Sequence, residues 1–587
     1  MKVFMRRVGT ALTLVCLALP TAGRGADEPK GPADLIVHHA KVVTVDDKFT
    51  TAEAVAVKDG RIVAVGDDDA VFRWAGPKTR VIDADSHTVL PGLYDSHVHP
   101  LDAATSELDA PLPNLRSLKD VFAYIRRRAA VTPKGEWIVV RYAFPTRLDE
   151  GRFPTKAELD EAAPEHPVLY HAGPAGVVNS LGLKVSGITR DTPNPPAGVV
   201  AKDAASGEPT GMLRNAYRLL KGLPRDAGRL SADVKRNALK NLFRLYNEQG
   251  LTSIADRNAD RETLDLYRDL RDRGELTVRV NVARSFDPTG TREEVARRFE
   301  ELPGKDGLGG PTGVGDDWVR VGPIKLFLDG GMLNGSAYMR EPWPKGPTYQ
   351  IDEDGYRGLL FIQPEQLRMV VEEGAKRKWQ MTAHTAGEGA MDVLLDAYEF
   401  VNRETPIKNL RFCVTHANFP SQRNLERCKA LGVCADVQPA WLYKDGDTLQ
   451  RVLGDKRMRW FQPYKTWMEY TTIGGGSDHM VKLDSLEATN PWNPWLGMWT
   501  TLERRTERGT VLTPDERLTR EQAIRLYTIN NAYLTHAEKE KGSLEVGKDG
   551  DLIVIDRDVL TCPARDVRDA KVLWTVVGGK VVYERKE

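Results

Sequence analysis

The sequence predicts an α/β fold: a distorted (β/α)8 barrel of the TIM type, joined to a composite β-sandwich that both chain ends build. Strand-like and helix-like segments alternate from about residue 90 to residue 535, and such alternation favours a parallel sheet with helical crossovers. Both ends of the chain consist instead of short strand-like runs. Parallel barrels deliver metal ligands from strand ends, and five candidates follow short apolar runs here: His97, His99, His384, His416 and Asp478.

Length and charge narrow the classes of protein to consider. A chain of 587 residues is too long for one simple core, so we expect two or three structural units. It carries 83 Lys and Arg against 83 Asp and Glu, and this balance gives no electrostatic attraction for nucleic acid or an anionic membrane. The expected partner is a small-molecule substrate, and a homo-oligomer is compatible with the sequence.

Residues 1–26 predict an export signal. Lys2, Arg6 and Arg7 precede the apolar stretch 8–22, and small residues follow it, which is typical of a secretory signal peptide. An uncleaved membrane anchor is the alternative. The signal predicts a periplasmic or secreted protein without further membrane association, because no other segment is long and apolar enough to cross a bilayer.

Residues 27–88 and 536–587 predict the two parts of the β-sandwich. Asp59-Gly60 joins two strand-like runs near the start, and Gly578-Gly579 joins two near the end. Both dipeptides are strong hairpin signals. Since neither end has enough short strands to bury a core alone, we expect both ends to meet in one sandwich, with the barrel inserted between them.

Residues 89–535 predict the barrel with insertions. A helical pattern at residues 234–249 precedes a strand-like run that begins at Gly250, and another at 364–378 precedes the run that ends at His384. The Pro- and Gly-rich stretch 192–211 is expected to be an insertion near the barrel mouth. Thr519-Arg-Glu-Gln522 matches a capping box and predicts a helix that continues through Asn531.

The predicted metal site depends on a joint pattern. His97 and His99 can hold one ion, because residues i and i+2 of a strand point to the same face; two ordinary histidines near a turn are the alternative. His384 and His416 each end an apolar run, although a lone histidine is commonly a hydrogen-bonded structural residue. Asp478 follows glycines and a serine, where a turn or cap is the alternative. Together the five residues favour a metal site.

Lys325 lies within the apolar run Val321-Gly-Pro-Ile-Lys-Leu-Phe-Leu. A buried lysine needs a partner or loses its charge. A neutral amine can take up carbon dioxide and become a carbamate, which is an anionic group able to bridge two metal ions. The residues alone favour the alternative, in which Lys325 extends to the surface or pairs with Asp329.

These motifs resemble the amidohydrolase superfamily and, within it, amidohydrolase family 3, the group that includes N-substituted formamide deformylase. The similarity covers almost the whole chain after the signal and includes Leu90-Pro-Gly-Leu-Tyr-Asp-Ser-His-Val-His, Gly207-Glu-Pro-Thr-Gly-Met-Leu-Arg, Ile324-Lys-Leu-Phe-Leu-Asp-Gly, Gly476-Ser-Asp and Gly547-Lys-Asp-Gly-Asp-Leu-Ile-Val. The resemblance implies one or two divalent ions, with zinc expected, a carboxylated Lys325, and Asp478 as the catalytic proton carrier. It implies these ligands from strands one, four, five, six and eight: His97 and His99, Lys325, His384, His416 and Asp478.

Several positions of the family pattern differ in this chain. Pro174 stands where family members have a histidine, Asn215 stands where an acidic residue is frequent, and Gly387-Glu-Gly-Ala replaces a Gly-Asp-Arg-Ala segment. The metal ligands are therefore retained while candidate substrate contacts change. The candidate substrate-binding residues are His171, which could replace the missing histidine, and Asp256, His479 and Trp492. A cap at Asp256 and loop packing by Trp492 are the alternatives.

Three functions are compatible with the sequence. The first, which we favour, is an exported metal-dependent hydrolase of an amide or a related non-peptide C–N bond. The second is an esterase, lactonase or deaminase, because the same metal site serves several electrophiles. The third is a non-catalytic binding protein that kept the fold. The retained metal ligands argue against the third function, whereas Pro174 and Gly389 argue for it.

Overall fold

The computed structural model describes residues 31–108, 111–224, 230–302 and 310–586. It confirms the predicted fold class, with an eight-stranded parallel barrel and a sandwich that draws strands from both chain ends. The predicted export signal, residues 1–26, lies outside the described residues. Within the described ranges, no helix combines the length and the apolar character that crossing a membrane requires.

The first seven strands belong to the sandwich. They are β1 (Leu35–His38), β2 (Lys41–Val43), β3 (Thr51–Ala52), β4 (Ala54–Lys58), β5 (Arg61–Gly66), β6 (Arg80–Asp83) and β7 (Thr88–Pro91). One sheet has the order β5-β4-β1-β6 and so contains N-terminal strands alone. The predicted hairpin at Asp59-Gly60 joins β4 to β5, with Lys58 opposite Arg61.

The barrel begins at β8 (Leu93–Val98), and an inserted sheet follows before the second barrel strand. The inserted strands are β9 (Ile138–Val140), β10 (Val168–Ala172), β11 (Ala175–Val178), β12 (Val199–Lys202) and β13 (Pro209–Arg214). Their order in the sheet is β12-β13-β11-β10-β9. The Pro- and Gly-rich stretch that the sequence predicts as an insertion contains β12 and the start of β13.

The other barrel strands are β14 (Leu251–Ala259), β15 (Arg279–Ser285), β16 (Val319–Phe327), β17 (Met381–Thr385), β18 (Cys413–His416), β19 (Cys434–Val437) and β20 (Ile473–Gly475). Neighbouring strands are parallel throughout. A bridge between Val98 and His479 closes the ring. Because the carboxyl ends of all strands lie at one face of such a barrel, distant parts of the chain meet there.

Three C-terminal strands complete the sandwich: β21 (Leu552–Ile555), β22 (Val572–Val577) and β23 (Lys580–Glu584). They form one sheet with N-terminal strands, in the order β23-β22-β21-β7-β2-β3. Strand β21 pairs antiparallel with β7, and Val554 lies opposite Val89. Both of these valines are buried in the sandwich core with Leu35 and Val57. The two chain ends therefore share one core, as the shortage of strands at either end predicts.

Helices connect and cover the strands. In chain order they are α1 (Asp68–Phe72), α2 (Pro100–Thr105), α3 (Leu118–Ala129), α4 (Lys156–Ala162), α5 (Ser180–Ser186), α6 (Ala232–Glu248), α7 (Arg261–Asp272), α8 (Arg292–Glu301), α9 (Pro364–Lys376), α10 (Glu388–Asn402), α11 (Gln422–Leu431), α12 (Pro439–Met458), α13 (Tyr464–Tyr470), α14 (Pro494–Glu503), α15 (Arg520–Leu526), α16 (Ile529–Leu534) and α17 (Ala564–Val567). Most barrel helices lie between consecutive strands, as the alternating pattern predicts.

The helix predicted to run from Thr519 through Asn531 is divided in the structure. Its capping box is present, since the Thr519 side chain accepts a hydrogen bond from Gln522 N. The helix is interrupted at Tyr527, whose carbonyl accepts a hydrogen bond of 2.7 Å from Tyr94 N of β8. A contact with the barrel therefore replaces a helical hydrogen bond, and two short helices, α15 and α16, result.

Candidate metal centre and active site

The carboxyl ends of five barrel strands carry the predicted ligands. Strands β8, β16, β17, β18 and β20 are strands one, four, five, six and eight of the ring. These are the strands that the family resemblance implies. In the same order, they carry or directly precede His97 and His99, Lys325, His384, His416 and Asp478.

Three of these residues converge on one point. His97 Nε2 and His99 Nε2 lie 3.3 and 3.2 Å from Asp478 Oδ1. One ligand atom from each residue lies within 4.8 Å of the other two. His97 and Asp478 are buried, and the Asp478 N–H donates a hydrogen bond of 2.7 Å to His97 O. Two imidazole nitrogens and a carboxylate at this spacing form a candidate site for a divalent cation.

His384 and His416 form a second group. His384 Nδ1 lies 2.8 Å from His416 Nε2. On the outer side, His384 Nε2 lies 3.1 Å from Gly330 O, and His416 Nδ1 lies 2.7 Å from Gln438 Oε1. Both outer partners are acceptors, so each ring carries its N–H outward and turns a lone pair toward the other ring. Two lone pairs at this distance repel each other, and a metal ion bound by both nitrogens would remove that repulsion.

The donor set fits a divalent metal ion. The two groups adjoin, because the rings of His97 and His416 stack with their centroids 5.0 Å apart. At His384 and His416 the inward-facing nitrogens are both acceptors, and at the other group two histidine nitrogens lie close to one carboxylate oxygen. Neutral imidazole nitrogens together with a carboxylate are ligands that zinc and similar ions prefer.

Burial keeps three of the histidines neutral. It is the largest cause that lowers the pKa of His97 and of His416 well below the ordinary value. Burial and nearby positive charge lower the pKa of His384 to about 3. For His99, burial acts in the same direction, but Asp478 overcomes it and raises the pKa. A histidine must be neutral to bind a metal ion, so most of these rings are prepared for binding.

Lys325 lies beside both groups and is buried, with 1% of its surface exposed. Burial lowers the pKa of Lys325 to about 8; Asp436 opposes this change and Arg257 adds to it. Extension to the surface, which the residues alone favour, does not agree with this burial. The other alternative, a pair with Asp329, is not supported either: Asp329 accepts hydrogen bonds from main-chain N–H groups, among them that of Ala386 at 2.9 Å.

Two candidate ligands have a strained main chain. His416 has φ of 75° and Asp478 has φ of 57°, a left-handed conformation that costs a non-glycine residue on the order of 1–3 kcal/mol. Such strain persists only where the surroundings hold it. At Asp478 they include Asn490, whose Nδ2 donates to Asp478 O at 2.6 Å and to Oδ2 at 3.3 Å. Strain at the ends of β18 and β20, the sixth and eighth barrel strands, supports a functional role for both residues.

Asp95 lies beneath the site, and sequence reasoning missed it. Its Oδ1 accepts hydrogen bonds from His97 N at 2.9 Å and from Ser477 N at 3.1 Å. The carboxyl group therefore fastens β8 to the segment that carries Asp478. Burial raises the pKa of Asp95 to about 7. Its place two residues before His97 was a usable signal, since alternate residues of a strand share a face.

His171 and Asp256 lie outside the group of converging ligand atoms, although the charge of Asp256 acts on His99. The His171 ring lies in the inserted sheet, 5.1 Å from the Tyr142 ring and 5.0 Å from the Tyr217 ring. Burial lowers the pKa of His171 to about 4. Asp256 lies on β14, and its Oδ2 accepts a hydrogen bond of 2.7 Å from the Tyr267 hydroxyl. A role in substrate binding stays a prediction for both residues.

His479 and Trp492 pack against each other next to Asp478, with ring centroids 5.5 Å apart. His479 Nε2 lies 2.7 Å from Lys482 O, and Nδ1 lies 2.8 Å from the Tyr246 hydroxyl. Trp492 Nε1 donates to Leu483 O at 3.2 Å. Because both side chains are buried and their polar atoms have partners, loop packing agrees with these contacts, and substrate binding stays a prediction.

Two aromatic side chains border the candidate ligands, and neither was predicted. Phe327 is 44% exposed, although its ring lies 6.0 Å from the His384 ring and 5.3 Å from Lys325 Nζ. Trp441, at the start of α12, stacks on His416 at 4.7 Å. Phe327 could have been found, because it lies two residues after Lys325 on the same strand face. Trp441 gave no such signal, since it follows a strand without a candidate ligand.

Comparison with known proteins agrees with this geometry. The sequence profile described as "Amidohydrolase family" matches residues 80–583. The chain belongs to this family. It is 30% identical over 563 residues to N-substituted formamide deformylase of Arthrobacter pascens, which covers 94% of this chain and 98% of that protein. The amidohydrolase is accordingly a metal-dependent hydrolase of the class that acts on C–N bonds other than peptide bonds.

Solved structures show the same fold. An uncharacterized metal-dependent hydrolase from Pyrococcus horikoshii OT3 has a TM-score of 0.64 at 22% identity, with coverage of 90% of this amidohydrolase and 99% of that chain. Atrazine chlorohydrolase TrzN from Arthrobacter aurescens TC1, complexed with zinc, has a TM-score of 0.51 at 16% identity, with coverage of 94% and 95%. The resemblance that the motifs carry is thus confirmed, and the amidohydrolase is an enzyme rather than a binding protein.

Proposed function

We propose that this amidohydrolase uses zinc to hydrolyse an amide or a related non-peptide C–N bond. The observation that carries the proposal is the approach of His97 Nε2 and His99 Nε2 to Asp478 Oδ1, next to the facing nitrogens of His384 and His416. The 30% identity to N-substituted formamide deformylase supports C–N hydrolysis. The zinc in the atrazine chlorohydrolase complex supports the choice of metal.

Asp478 is the proposed proton carrier. A divalent ion held by these residues would polarise the scissile carbonyl and lower the pKa of the attacking water. Asp478 accepts the proton of that water and later donates it to the departing amine. An amide needs the second transfer, because an amide anion is too poor a leaving group to depart unaided. Burial raises the pKa of Asp478 while His99 opposes the change, and the raised pKa makes this carboxylate a stronger base.

We also propose that Lys325 carries a carboxylate. The neutral amine would attack carbon dioxide, form an N–C bond and release one proton, which leaves an anionic carbamate. Burial supports this step because it favours the neutral amine. Lys325→Ala should lose one metal equivalent and partly recover activity with added short carboxylates, whereas Lys325→Arg should not recover, since a guanidinium does not form the carbamate. Unchanged metal content in Lys325→Ala would contradict the assignment.

We propose that the enzyme is exported to the periplasm or beyond. The order of basic, apolar and small residues within residues 1–26 supports export. Fractionation of expressing cells, followed by N-terminal sequencing, tests it. The mature protein should begin near residue 26 in the periplasmic or secreted fraction. A cytoplasmic protein that keeps Met1 would contradict export.

The test of the catalytic proposal is hydrolysis of matched substrates that share one acyl group and differ in the bond. Metal-free enzyme should cleave none of them, and added zinc should restore cleavage of the amide. Amino-substituted heterocycles complete the panel. Zinc-dependent cleavage of the ester or the heterocycle without cleavage of any amide would contradict the proposal and favour an esterase, lactonase or deaminase instead.

A further inference from the structure

We propose that Asp436 is a positioning residue that orients one ligand histidine in each half of the metal centre. The inference rests on the proposed function, because it assumes that His97 and His416 bind metal. Asp436 lies on β19, the seventh strand of the barrel, which carries none of the predicted ligands. Its side chain is fully buried, so its partners are other side chains rather than solvent.

Asp436 acts directly on His97. Its two carboxylate oxygens lie 3.2 and 3.3 Å from His97 Nδ1. An acceptor on this side holds the proton of the neutral ring on Nδ1. His97 Nε2 then keeps its lone pair, and this atom faces Asp478 Oδ1 at 3.3 Å. Asp436 thus selects the tautomer that can bind an ion between His97 and Asp478.

Asp436 acts on His416 through Gln438. Gln438 Nε2 donates a hydrogen bond to Asp436 Oδ1, and this bond fixes the orientation of the amide. Gln438 Oε1 therefore faces His416 Nδ1 at 2.7 Å and holds the proton there. His416 Nε2 is left with the lone pair that faces His384 Nδ1 at 2.8 Å. The reversed amide would present its NH2 group to His416 and select the other tautomer.

Arg257 of β14 holds the carboxylate in place. Its Nη2 lies 3.2 Å from Asp436 Oδ2, and because this nitrogen has no aligned hydrogen bond, the pair is held by charge. Arg257 Nε donates to Ser96 O of β8 at 2.6 Å. Both partners of the ion pair are buried. The Asp436 carboxylate therefore contacts His97 directly and acts on His416 through Gln438.

A positioning role makes a prediction that a general structural role does not. Removal of a residue that orients a metal-binding histidine typically weakens metal affinity by about 10- to 100-fold. Loss of Asp436 should weaken binding at both groups, whereas loss of Gln438 should weaken it only at His384 and His416. The pattern of affected metal equivalents therefore distinguishes the two roles.

The test uses three variants and a cobalt titration. Asp436→Asn is combined with Arg257→Met, because a lone Arg257 would leave an unpaired buried charge. Gln438→Leu removes the relay alone. The matched control is Asp551→Asn with Arg279→Met, a buried pair at the amino end of the barrel, with Arg279 Nε 2.7 Å from Asp551 Oδ2. Metal-free proteins are titrated with Co²⁺, followed by visible absorption, and thermal melting reports folding.

We expect the Asp436→Asn/Arg257→Met variant to fold and to bind every Co²⁺ equivalent about 10- to 100-fold more weakly. Gln438→Leu should weaken one equivalent and leave the spectrum of the other unchanged. If the wild-type enzyme binds a single equivalent that both histidine groups share, both variants should weaken the binding of that one ion. The control variant should keep wild-type affinity even where its melting temperature falls.

Wild-type Co²⁺ affinity in a folded Asp436→Asn/Arg257→Met variant would overturn the inference. If that variant does not fold, Gln438→Leu decides: weaker binding supports the relay, and unchanged binding overturns it. If the wild-type enzyme hydrolyses an amide with metal while the variants keep wild-type Co²⁺ affinity, the inference about Asp436 fails and the proposed function stands. A wild-type enzyme that binds no Co²⁺ would overturn both.

Discussion

Buried charged groups occupy both ends of the barrel, but their partners differ. At the amino end, Arg279 begins β15 and pairs with Asp551 at 2.7 Å, and Arg61 pairs with Asp549 at 2.6 Å. Each cation there meets a carboxylate that comes from the sandwich side of the molecule. The Arg279 pair joins the barrel to the sandwich, whereas the Arg61 pair lies on the sandwich side, and each of these charges has an opposite charge as a partner.

At the carboxyl end, atoms that can bind a metal ion lie close together. Nitrogens of His97 and His99 surround one oxygen of Asp478, and nitrogens of His384 and His416 face each other. The strained main chain of His416 and Asp478 also lies at this end. Histidine nitrogens and a carboxylate oxygen at these distances suit a divalent cation, which is why the candidate metal centre is placed at this end.

Two lysines show that a shifted pKa does not identify the site by itself. Burial lowers the pKa of Lys325 and of Lys541 to about 8. Lys541 lies at the amino end, 3.6 Å from Asp549, whereas Lys325 lies at the carboxyl end beside the ligand histidines. The neighbouring groups, rather than the size of the pKa shift, distinguish the candidate site from the ion pairs at the amino end.

The largest expected effect comes from removing a ligand. His97→Ala or His384→Ala should lose most bound metal and all measurable activity, because each deletes a donor nitrogen. Lys541→Met at the amino end is the control and should keep full metal content. Metal analysis by mass spectrometry, together with an amide assay, checks this. Full metal stoichiometry in both histidine variants would place the metal elsewhere.

Asp478→Asn should separate metal binding from proton transfer. The amide oxygen can still coordinate weakly, so some metal should remain. Amide turnover should fall by about 10²- to 10⁴-fold, because an amide group carries no proton between water and amine. Activated esters should lose less, since their leaving groups need no proton. Near-normal amide hydrolysis would refute the mechanism, and equal losses on both substrates would remove only the role of Asp478 as acid.

A pH effect should mark the buried histidines in the metal-free enzyme. The pKa of His384 is lowered to about 3, against about 6.5 in an unfolded chain. Between these two pKa values, the His384 ring is protonated in the unfolded chain and neutral in the folded enzyme. The free energy of unfolding therefore falls as the pH falls, by about 1.4 kcal/mol per pH unit from this residue. Above the pKa of histidine in the unfolded chain, His384 is neutral in both states and does not affect the free energy of unfolding.

Buried carboxyl groups also titrate in this range, so the measurement is a difference. Urea unfolding of metal-free wild type and of His384→Asn is compared from pH 6.5 to pH 5. The wild type should lose more stability on acidification than the variant does. Parallel pH dependences would show that His384 is not held neutral by burial.

The smallest predicted effect concerns Phe327. Its ring is 44% exposed beside His384, and covering half of such a side chain is worth about 1 kcal/mol. Phe327→Ala should raise KM about fivefold for amides with a long alkyl or aryl substituent and leave a small amide unaffected. Phe400→Ala is a matched control, since Phe400 on α10 is also 44% exposed. Equal effects of the two substitutions would remove Phe327 from the substrate site.

The convergence of the candidate ligands could be predicted because barrel geometry makes strand ends neighbours. His384, His416 and Asp478 each follow an apolar run that was recognisable as a strand, and parallel strands place such ends at one face. The composite sandwich was predictable for a similar reason, since neither chain end had enough strands for a core. Here local patterns and general rules of topology were sufficient.

The supporting residues could not be predicted, because their roles depend on contacts across the barrel. Asp436 and Gln438 lie in an ordinary apolar strand pattern, and the importance of Asp436 comes from His97, which is far away in sequence. His479 follows a candidate ligand, yet its ring turns toward Tyr246 and Trp492. The substrate contact that its place next to Asp478 suggests therefore stays a prediction.

Anomalous diffraction at the zinc absorption edge, from crystals grown with zinc, tests the assignment of the metal centre most directly. We predict a peak bound by His97 Nε2, His99 Nε2 and Asp478 Oδ1, with metal–ligand distances of about 2.0–2.2 Å. If a second ion binds, its peak should lie between His384 Nδ1 and His416 Nε2. Zinc found only at the amino end of the barrel, or no zinc at the five predicted residues, would contradict the account.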